Sequence, residues 1–396
     1  MRIGMILDKV FPPDPRVENE AIELIKEGHK VFLFCLTYSK EKSQEIINGI
    51  HVRRYYNTTL IYKFSALAYT VPVYSYCMKN KIDHFIKTNN IEVIHIHDMI
   101  IAEACFLANK KYQLPTVLDL HENRPEILKF YPYMQKLYGK LLVSVKRWKK
   151  KEEEFVKKSD KIVVVTDEAK NELSSRVRSK TKDIIVVPNT IRKSFYQNKK
   201  NVSIPYKKGA NEFNVLYLGD TGDRRGLRTV IEALQILKSQ DKIQNIIFLV
   251  IGKITNRKLL SLVDKYNLKK HVKFIGWQDQ ETFPFWISQA DVCVSPLHKN
   301  LHHDTTYANK LFQYMSFGKA LLLSDVLAQK ELMEKVGSGV VHKEQNAQDF
   351  ADKLLDLYNN DGLRIEMGKK GEKFVRNDFT WDKTSNQLKE IYKTII

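Results

Sequence analysis

Short apolar runs separated by stretches of helical spacing recur along the whole chain, and that rhythm limits the folds open to it. The runs fall at 3–7, 30–36, 51–55, 93–96, 116–118, 162–165 and 184–187, and again at 214–218, 246–251, 272–275, 292–295, 320–323 and 339–341. Strands alternating with helical patterns imply parallel sheets with crossover helices. A chain of 396 residues exceeds one ordinary core and suits two domains of about 190 residues each. Val187-Pro188-Asn189-Thr190 closes the first series, and 193–212, rich in Lys, Asn and Gly, reads as a linker. The expected organisation is a doubly wound domain over 1–192, a linker over 193–212, a second doubly wound domain over 213–378 and a terminal segment, 379–396, with an amphipathic helix opening at Trp381.

With 43% apolar residues the chain can bury both cores. Cys35, Cys77, Cys105 and Cys293 lie far apart with no CxxC pair, as expected of thiols in a reducing cytosol. The N-terminal apolar run is too short for a signal peptide. Residues 61–78, the most membrane-like stretch, are interrupted by Lys63 and Pro72, so no span of about 20 apolar residues exists to cross a bilayer. The formal charge of +19 suits nucleic acid, an anionic membrane face or phosphorylated substrates. Between Lys129 and Lys161 eleven Lys or Arg stand against four acids, a net of +7. That stretch is either a solvated helix with Glu152, Glu153 and Glu154 pairing with lysines, or a peripheral contact with the cytoplasmic leaflet using Trp148 and Leu141-Leu142-Val143. No nucleic-acid motif with interleaved aromatics accompanies the charge.

The chemistry concentrates in a few strand-end segments. In 305–319, Asn309, Lys310 and Gln313 stand at the start of a helix just before an apolar strand. A helix N-terminus offers free N–H groups and partial positive charge, Lys310 adds a full one, and a diphosphate would sit well there. Gln313 follows Asn309 by one turn and can hydrogen-bond a sugar hydroxyl. Gly219-Asp220-Thr221-Gly222-Asp223-Arg224-Arg225-Gly226 follows a strand and opens a helix, with neither GxGxxG nor P-loop spacing. It is either a tight turn alone or a loop that sets a guanidinium against phosphate oxygens. Asp119-Leu120-His121-Glu122 ends a strand, where ligands of open α/β sheets bind. Glu122 there could orient an acceptor hydroxyl or take its proton. His95-Ile96-His97-Asp98 ends another strand with both imidazoles on one face; two histidines without a neighbouring cysteine make a thin case for a metal.

The 305–319 segment resembles the "NKLFEYM..G.P" signature of retaining GT-B glycosyltransferases, in particular the family 4 type of bacterial envelope enzymes. It departs from that signature in carrying Thr305 and Gln313 where two glutamates are usual. The resemblance implies the GT-B architecture, two Rossmann-like domains with parallel sheets facing a central cleft and a terminal helix that packs back on the first. It implies that Arg225 and Lys310 grip the donor diphosphate, and that Gly219, Trp277, Pro296, Leu297, Asn309 and Gln313 surround the donor nucleoside and sugar. It makes His121, with Glu122 beside it, the catalytic candidate. By the same likeness Arg16, His97 and Asp98 line the cleft on the acceptor side, though Arg16 reads equally as a surface arginine at a helix start.

The function expected is transfer of a hexose-type sugar from a nucleoside diphosphate, of UDP or GDP type, to a lipid-linked or saccharide acceptor. The family implies retention of configuration and work at the cytoplasmic membrane face in envelope polysaccharide or lipopolysaccharide assembly. A monomer or weak oligomer is expected, with no cofactor and no metal, because the chain holds no Asp-x-Asp motif. The rival readings are a nucleotide-sugar epimerase, hydrolase or phosphorylase on the same fold, and a non-catalytic module that binds membrane or nucleic acid.

Overall fold

In the computed structural model, residues 1–178, 183–197 and 204–395 are described; the 198–203 part of the expected linker and Ile396 lie outside them. The chain forms two units, Met1–Asn189 with Thr384–Ile396, and Thr190–Lys383.

The first unit is built on an eight-stranded sheet: β1 (Arg2–Leu7), β2 (Lys30–Thr37), β3 (Gln44–Ile47), β4 (Ile50–Tyr56), β5 (Val93–His97), β6 (Thr116–Leu120), β7 (Lys161–Val164) and β8 (Ile184–Val186). The order is β3-β4-β2-β1-β5-β6-β7-β8. All neighbours are parallel except β3, which runs antiparallel to β4 across a tight turn at Asn48 and Gly49. Past the first residues of β1 and β2 the inner strands β1, β2, β5 and β6 are buried throughout, which explains their near-continuous apolar runs. β3, with alternating exposure, is absent from the strands expected from sequence.

The Val145–Lys158 helix corrects one expectation. Trp148 is no surface anchor: it is 2% exposed and packs edge-on against Tyr69 at 4.6 Å. Trp148, Glu152 and Phe155 recur at helical spacing on the buried face. Among the described residues, Glu154 of the acidic triplet pairs with lysines, Lys151 and Lys158, while Glu152 and Glu153 both hold Arg176. Val143 is buried, whereas Leu141 is 76% exposed.

The C-terminal helix Asn386–Thr394 completes this unit, with Tyr392 Oη 2.8 Å from His95 Nδ1 and Lys389 Nζ 2.9 Å from Glu23. Trp381, expected to open that helix, belongs to the second unit, where its indole N–H donates to the Thr190 carbonyl at 2.9 Å.

The second unit carries β9 (Phe213–Leu218), β10 (Ile246–Ile251), β11 (Val272–Gly276), β12 (Val292–Ser295), β13 (Ala320–Ser324) and β14 (Gly339–His342), all parallel, in the order β11-β10-β9-β12-β13-β14. Successive β9 residues enter opposite apolar layers, Val215 and Tyr217 on one side and Leu216 and Leu218 on the other. In both sheets the strand order reverses beside the first strand, at β1/β5 and at β9/β12. Chains leaving the carboxyl ends there diverge to opposite faces and open a crevice, the usual ligand position in such sheets. Cys35, Cys105 and Cys293 are buried free thiols, and Cys77 is half-buried and free. Among the described residues no helix is long and apolar enough to cross a membrane.

Candidate functional site

Each unit presents its chemistry at the carboxyl ends of its strands. In the first, the end of β6 supplies a buried carboxylate, Asp119, around which the others assemble. Arg16, one residue into the Pro15–Lys26 helix, grips it bidentately, Nη2 to Oδ1 at 2.7 Å and Nε to Oδ2 at 2.9 Å. The same guanidinium lies 2.9 Å from Glu20 and donates at 2.9 Å to the Val187 carbonyl and to Asn189 Oδ1. Arg16 is therefore not the ligand-facing residue the sequence suggested: it is buried, and its donors are spent on the protein. Burial alone would disfavour the charge on Asp119, but Arg16, then His121 and His97, hold its carboxyl well below the usual range.

His121 Nε2 stands 2.9 Å from Asp119 Oδ2 and 3.2 Å from His97 Nδ1. His121 Nε2–H thus donates to the carboxylate, leaving Nδ1 as its other ring nitrogen. His97 is buried, and burial lowers its pKa, keeping it neutral; its ring stacks on His95 at 4.4 Å. His97 supports His121 and does not itself reach solvent. Asp98 is likewise buried, at φ +72°, an unusual conformation for a side-chain-bearing residue. Its Oδ1 accepts from the Met99 N–H at 2.8 Å and its Oδ2 pairs with Arg124 at 2.5 Å. Of the residues expected here, His121 and Glu122 retain exposure, 13% and 23% of their side chains. Glu122 lies 3.2 Å from Arg124 Nη1.

Glu20, His95, His97 and Asp119 bring potential metal-binding atoms within 4.8 Å of one another. Arg16 already lies against both carboxylates of that group, so a cation there would have to compete with a bound guanidinium.

In the second unit the Asn309–Ser316 helix begins after Ala308 with no side-chain cap, which leaves its first N–H groups for a ligand. Asn309 is exposed and Gln313 half-buried on its first turns. Lys310 reaches back under the β9 loop, its Nζ 3.8 Å from the centre of the Tyr217 ring. That ammonium is buried and has no hydrogen-bond partner among the described residues. Burial, reinforced by Arg225, pushes its pKa well below the ordinary lysine value. Gly219 leaves room for it, since a Cβ there would come within 3.4 Å of the ammonium.

Arg225 lies beside it but is not free: its Nη2 and Nε are 2.9 and 3.0 Å from Asp220 Oδ2. Gly226, at φ +74°, lets the loop touch the β12 end, where any Cβ would meet the Pro296 carbonyl at 1.7 Å. Pro296 and Leu297 are buried, and the Leu297 carbonyl already accepts from Ser324 Oγ at 2.7 Å, so neither offers a side chain to a ligand. His303 is buried and lies 3.0 Å from Arg224 Nη1, fixing a second arginine. Next to Gly219 a pocket of about 690 Å³ is lined by Gly252, Lys253, Trp277 and Glu281. Trp277 is 68% exposed at its edge and not a core residue.

Sequence reasoning passed over Glu20, Arg124 and Asp8 as site residues. Asp8, immediately after β1, carried a usable signal, since it ends the strand at the topological switch. The partnership of Arg124 with Asp98 spans 26 residues and left no local pattern.

Comparison with known proteins bears on both units. Residues 16–195 match the family described as Glycosyltransferase Family 4, and residues 198–374 match Glycosyl transferases group 1. The glycosyltransferase MJ1178 of Methanocaldococcus jannaschii, itself described as uncharacterized, is 23% identical over 96% of this chain and 93% of its own length. Among solved structures, sucrose-phosphate synthase from Thermosynechococcus elongatus superposes with TM-score 0.76 at 17% identity, covering 100% of this chain and 98% of that one. Anabaena HepE, solved in complex with UDP, gives 0.71 at 12% identity over 100% of both chains. WaaG, described as a glycosyltransferase involved in lipopolysaccharide biosynthesis, gives 0.67 at 14% identity over 99% of this chain and 100% of its own. The two parallel-sheet Rossmann-like domains are those of the GT-B fold.

Proposed function

We propose, from the premise that the chain carries a family 4 glycosyltransferase domain followed by a group 1 glycosyltransferase domain, that it moves a hexose from a UDP- or GDP-sugar to a lipid-linked saccharide with retention of configuration. The observation that carries this reading is Lys310: a buried ammonium without a partner, beside Arg225 and an uncapped helix N-terminus. An unpaired buried charge is costly, and a diphosphate placed there would compensate it. Neighbours solved with UDP and with UDP-glucose favour a nucleotide-sugar donor of this kind.

In the proposed reaction the bond between the anomeric carbon and the β-phosphate oxygen breaks. The acceptor oxygen bonds to the same face of the sugar, and its proton passes to the departing diphosphate. Lys310 and Arg225 would stabilise the negative charge growing on that diphosphate, so that no metal is needed for this step. His121, held by Asp119, would contact the transferred sugar, and Glu122 would orient the acceptor hydroxyl. Exposed Leu137 and Leu141 beside Lys136 and Lys140 support peripheral contact with the anionic cytoplasmic membrane face, in envelope polysaccharide or lipopolysaccharide assembly.

The test is thermal stabilisation by UDP, GDP and CMP and by their sugar conjugates, read beside Lys310→Ala. A shift with one nucleotide, lost in the variant, supports the donor site; no shift with any of them overturns it. The anomeric configuration of the product, read by NMR, then decides retention against inversion.

A further inference from the structure

A second pocket, of about 910 Å³, lies wholly within the first unit. Its volume sits at the upper end of the range, about 300–1,000 Å³, of small-molecule sites. One part of its wall is apolar, formed by Leu67, Ile127, Leu128 and Leu142; the other carries Asp8, Lys9, Glu122 and Arg124. Glu122 belongs to the strand-end site described above, so the pocket adjoins the place assigned to acceptor chemistry.

Two observations give this pocket an occupant. Asp8 is 2% exposed and its Oδ1 has no hydrogen-bond partner among the described residues. Of the neighbouring charges, Arg124 is engaged with Asp98, Glu122 and Tyr131. Burial raises the Asp8 pKa, with Lys9 opposing it. A carboxylate oxygen left without a donor is the natural acceptor for a sugar or lipid-head hydroxyl. The apolar wall, in turn, is continuous at Leu142 with the Leu137–Leu142 helix, whose Leu137 and Leu141 are more than three-quarters exposed and stand beside Lys136 and Lys140. Apolar side chains beside lysines at a pocket mouth match an amphiphile drawn from an anionic membrane surface.

We infer that this pocket binds the acceptor as an amphiphile, its apolar chain against Leu67, Ile127, Leu128 and Leu142 and a hydroxyl of its head on Asp8. The inference rests on the glycosyl-transfer reading and makes it more specific: the apolar part of the acceptor is recognised directly by the enzyme and not merely held nearby by the membrane.

The experiment is calorimetric titration of the full chain with octyl β-glucoside, below its micelle concentration, and with methyl β-glucoside, which has the same head without the chain. The octyl compound should bind at least tenfold more tightly. Ala66→Trp, which fills the pocket from its wall, and Leu142→Glu, which charges a partly exposed rim, should each remove most of that advantage. Asp8→Ala should weaken octyl glucoside at least threefold. The thermal shift given by whichever nucleotide stabilises the unaltered chain, measured on the same variants, controls for folding and should persist. Equal binding of the two glucosides, or undiminished octyl binding in both pocket variants, overturns the inference. Absence of a shift with every one of UDP, GDP and CMP in the unaltered chain would instead overturn the donor reading, and the octyl comparison would still decide the pocket.

Discussion

The two strand-end sites treat buried charge in opposite ways. Around Asp119 the first unit pairs most of the charge it buries: Arg16 lies on Asp119 and Glu20, and Arg124 on Asp98, with Asp8 at the end of β1 the exception. Beneath the β9 loop the second unit buries the Lys310 ammonium with a π face near it and, among the described residues, no anion bonded to it. A saturated network spends its electrostatics on holding a shape, whereas an unsaturated one holds them in reserve for a ligand. On the proposed reading the difference divides the roles: residues around Asp119 present His121 and Glu122, and Lys310 would meet negative charge itself.

The sharpest way to break that comparison is Arg16→Ala. Removing the guanidinium leaves Asp119 and Glu20 buried together without their shared cation, and losing such a partner costs about 3–5 kcal/mol of stability. Urea denaturation should show the loss. A change below about 1 kcal/mol would mean that water reaches the cluster and that the pairing is not structural.

Lys310→Met should behave in the reverse sense. Without nucleotide its melting temperature should hold or rise, because an apolar side chain replaces a partnerless buried charge. Its affinity for the cognate nucleoside diphosphate should fall by about 10–100-fold, the loss expected of one charge-assisted hydrogen bond. Arg225→Ala should cost less, since Asp220 already occupies that guanidinium. Destabilisation of the nucleotide-free protein by Lys310→Met would remove the distinction between the two sites.

What could be read in advance follows the same division. The thirteen runs of apolar residues all became strands because burial on both faces of a parallel sheet demands local, contiguous hydrophobicity. β3 escaped notice because Gln44-Glu45-Ile46-Ile47 is short and half polar, although Asn48-Gly49, both at positive φ, is a strong hairpin turn signal. The placement of Lys310 and Gln313 on a helix start and of Arg225 in a glycine loop was legible because both are local features. Arg16 was read either as a cleft residue or as a surface arginine, and its burial was not legible because Asp119, Val187 and Asn189 lie 103 to 173 residues away in sequence. Trp148 was misread for the same reason, its neighbour Tyr69 being far upstream.

The Lys310 environment also carries a signed pH dependence. In the free protein burial and Arg225 lower its pKa well below 10.5. A bound diphosphate would raise it again, so binding takes up a proton at pH values between the free and bound pKa. Affinity should then fall as pH rises through that window. Calorimetry above about pH 7.5, where the phosphate pKa near 6 no longer contributes, should give a binding enthalpy that varies with the buffer in the sense of proton uptake. Lys310→Met should abolish the variation. Buffer-independent enthalpy in the unaltered chain would place the ligand away from this ammonium.

The smallest effect belongs to Gln313. It is half-buried one turn beyond Asn309, and it stands where the family signature has a glutamate. A neutral amide contributes less than a carboxylate to a ribose hydroxyl, because charge-assisted hydrogen bonds are about twice as strong as neutral ones. Gln313→Ala should therefore weaken nucleotide binding by about two- to tenfold, the range of a neutral hydrogen bond, without altering proton uptake. Gln313→Glu should strengthen it by a similar factor if the ribose lies here. The Lys310 and Gln313 contributions should add in the double variant, since one meets phosphate and the other sugar. Should Gln313→Glu instead weaken binding, the added carboxylate faces the diphosphate, and the nucleoside lies on a different part of the Asn309–Ser316 helix.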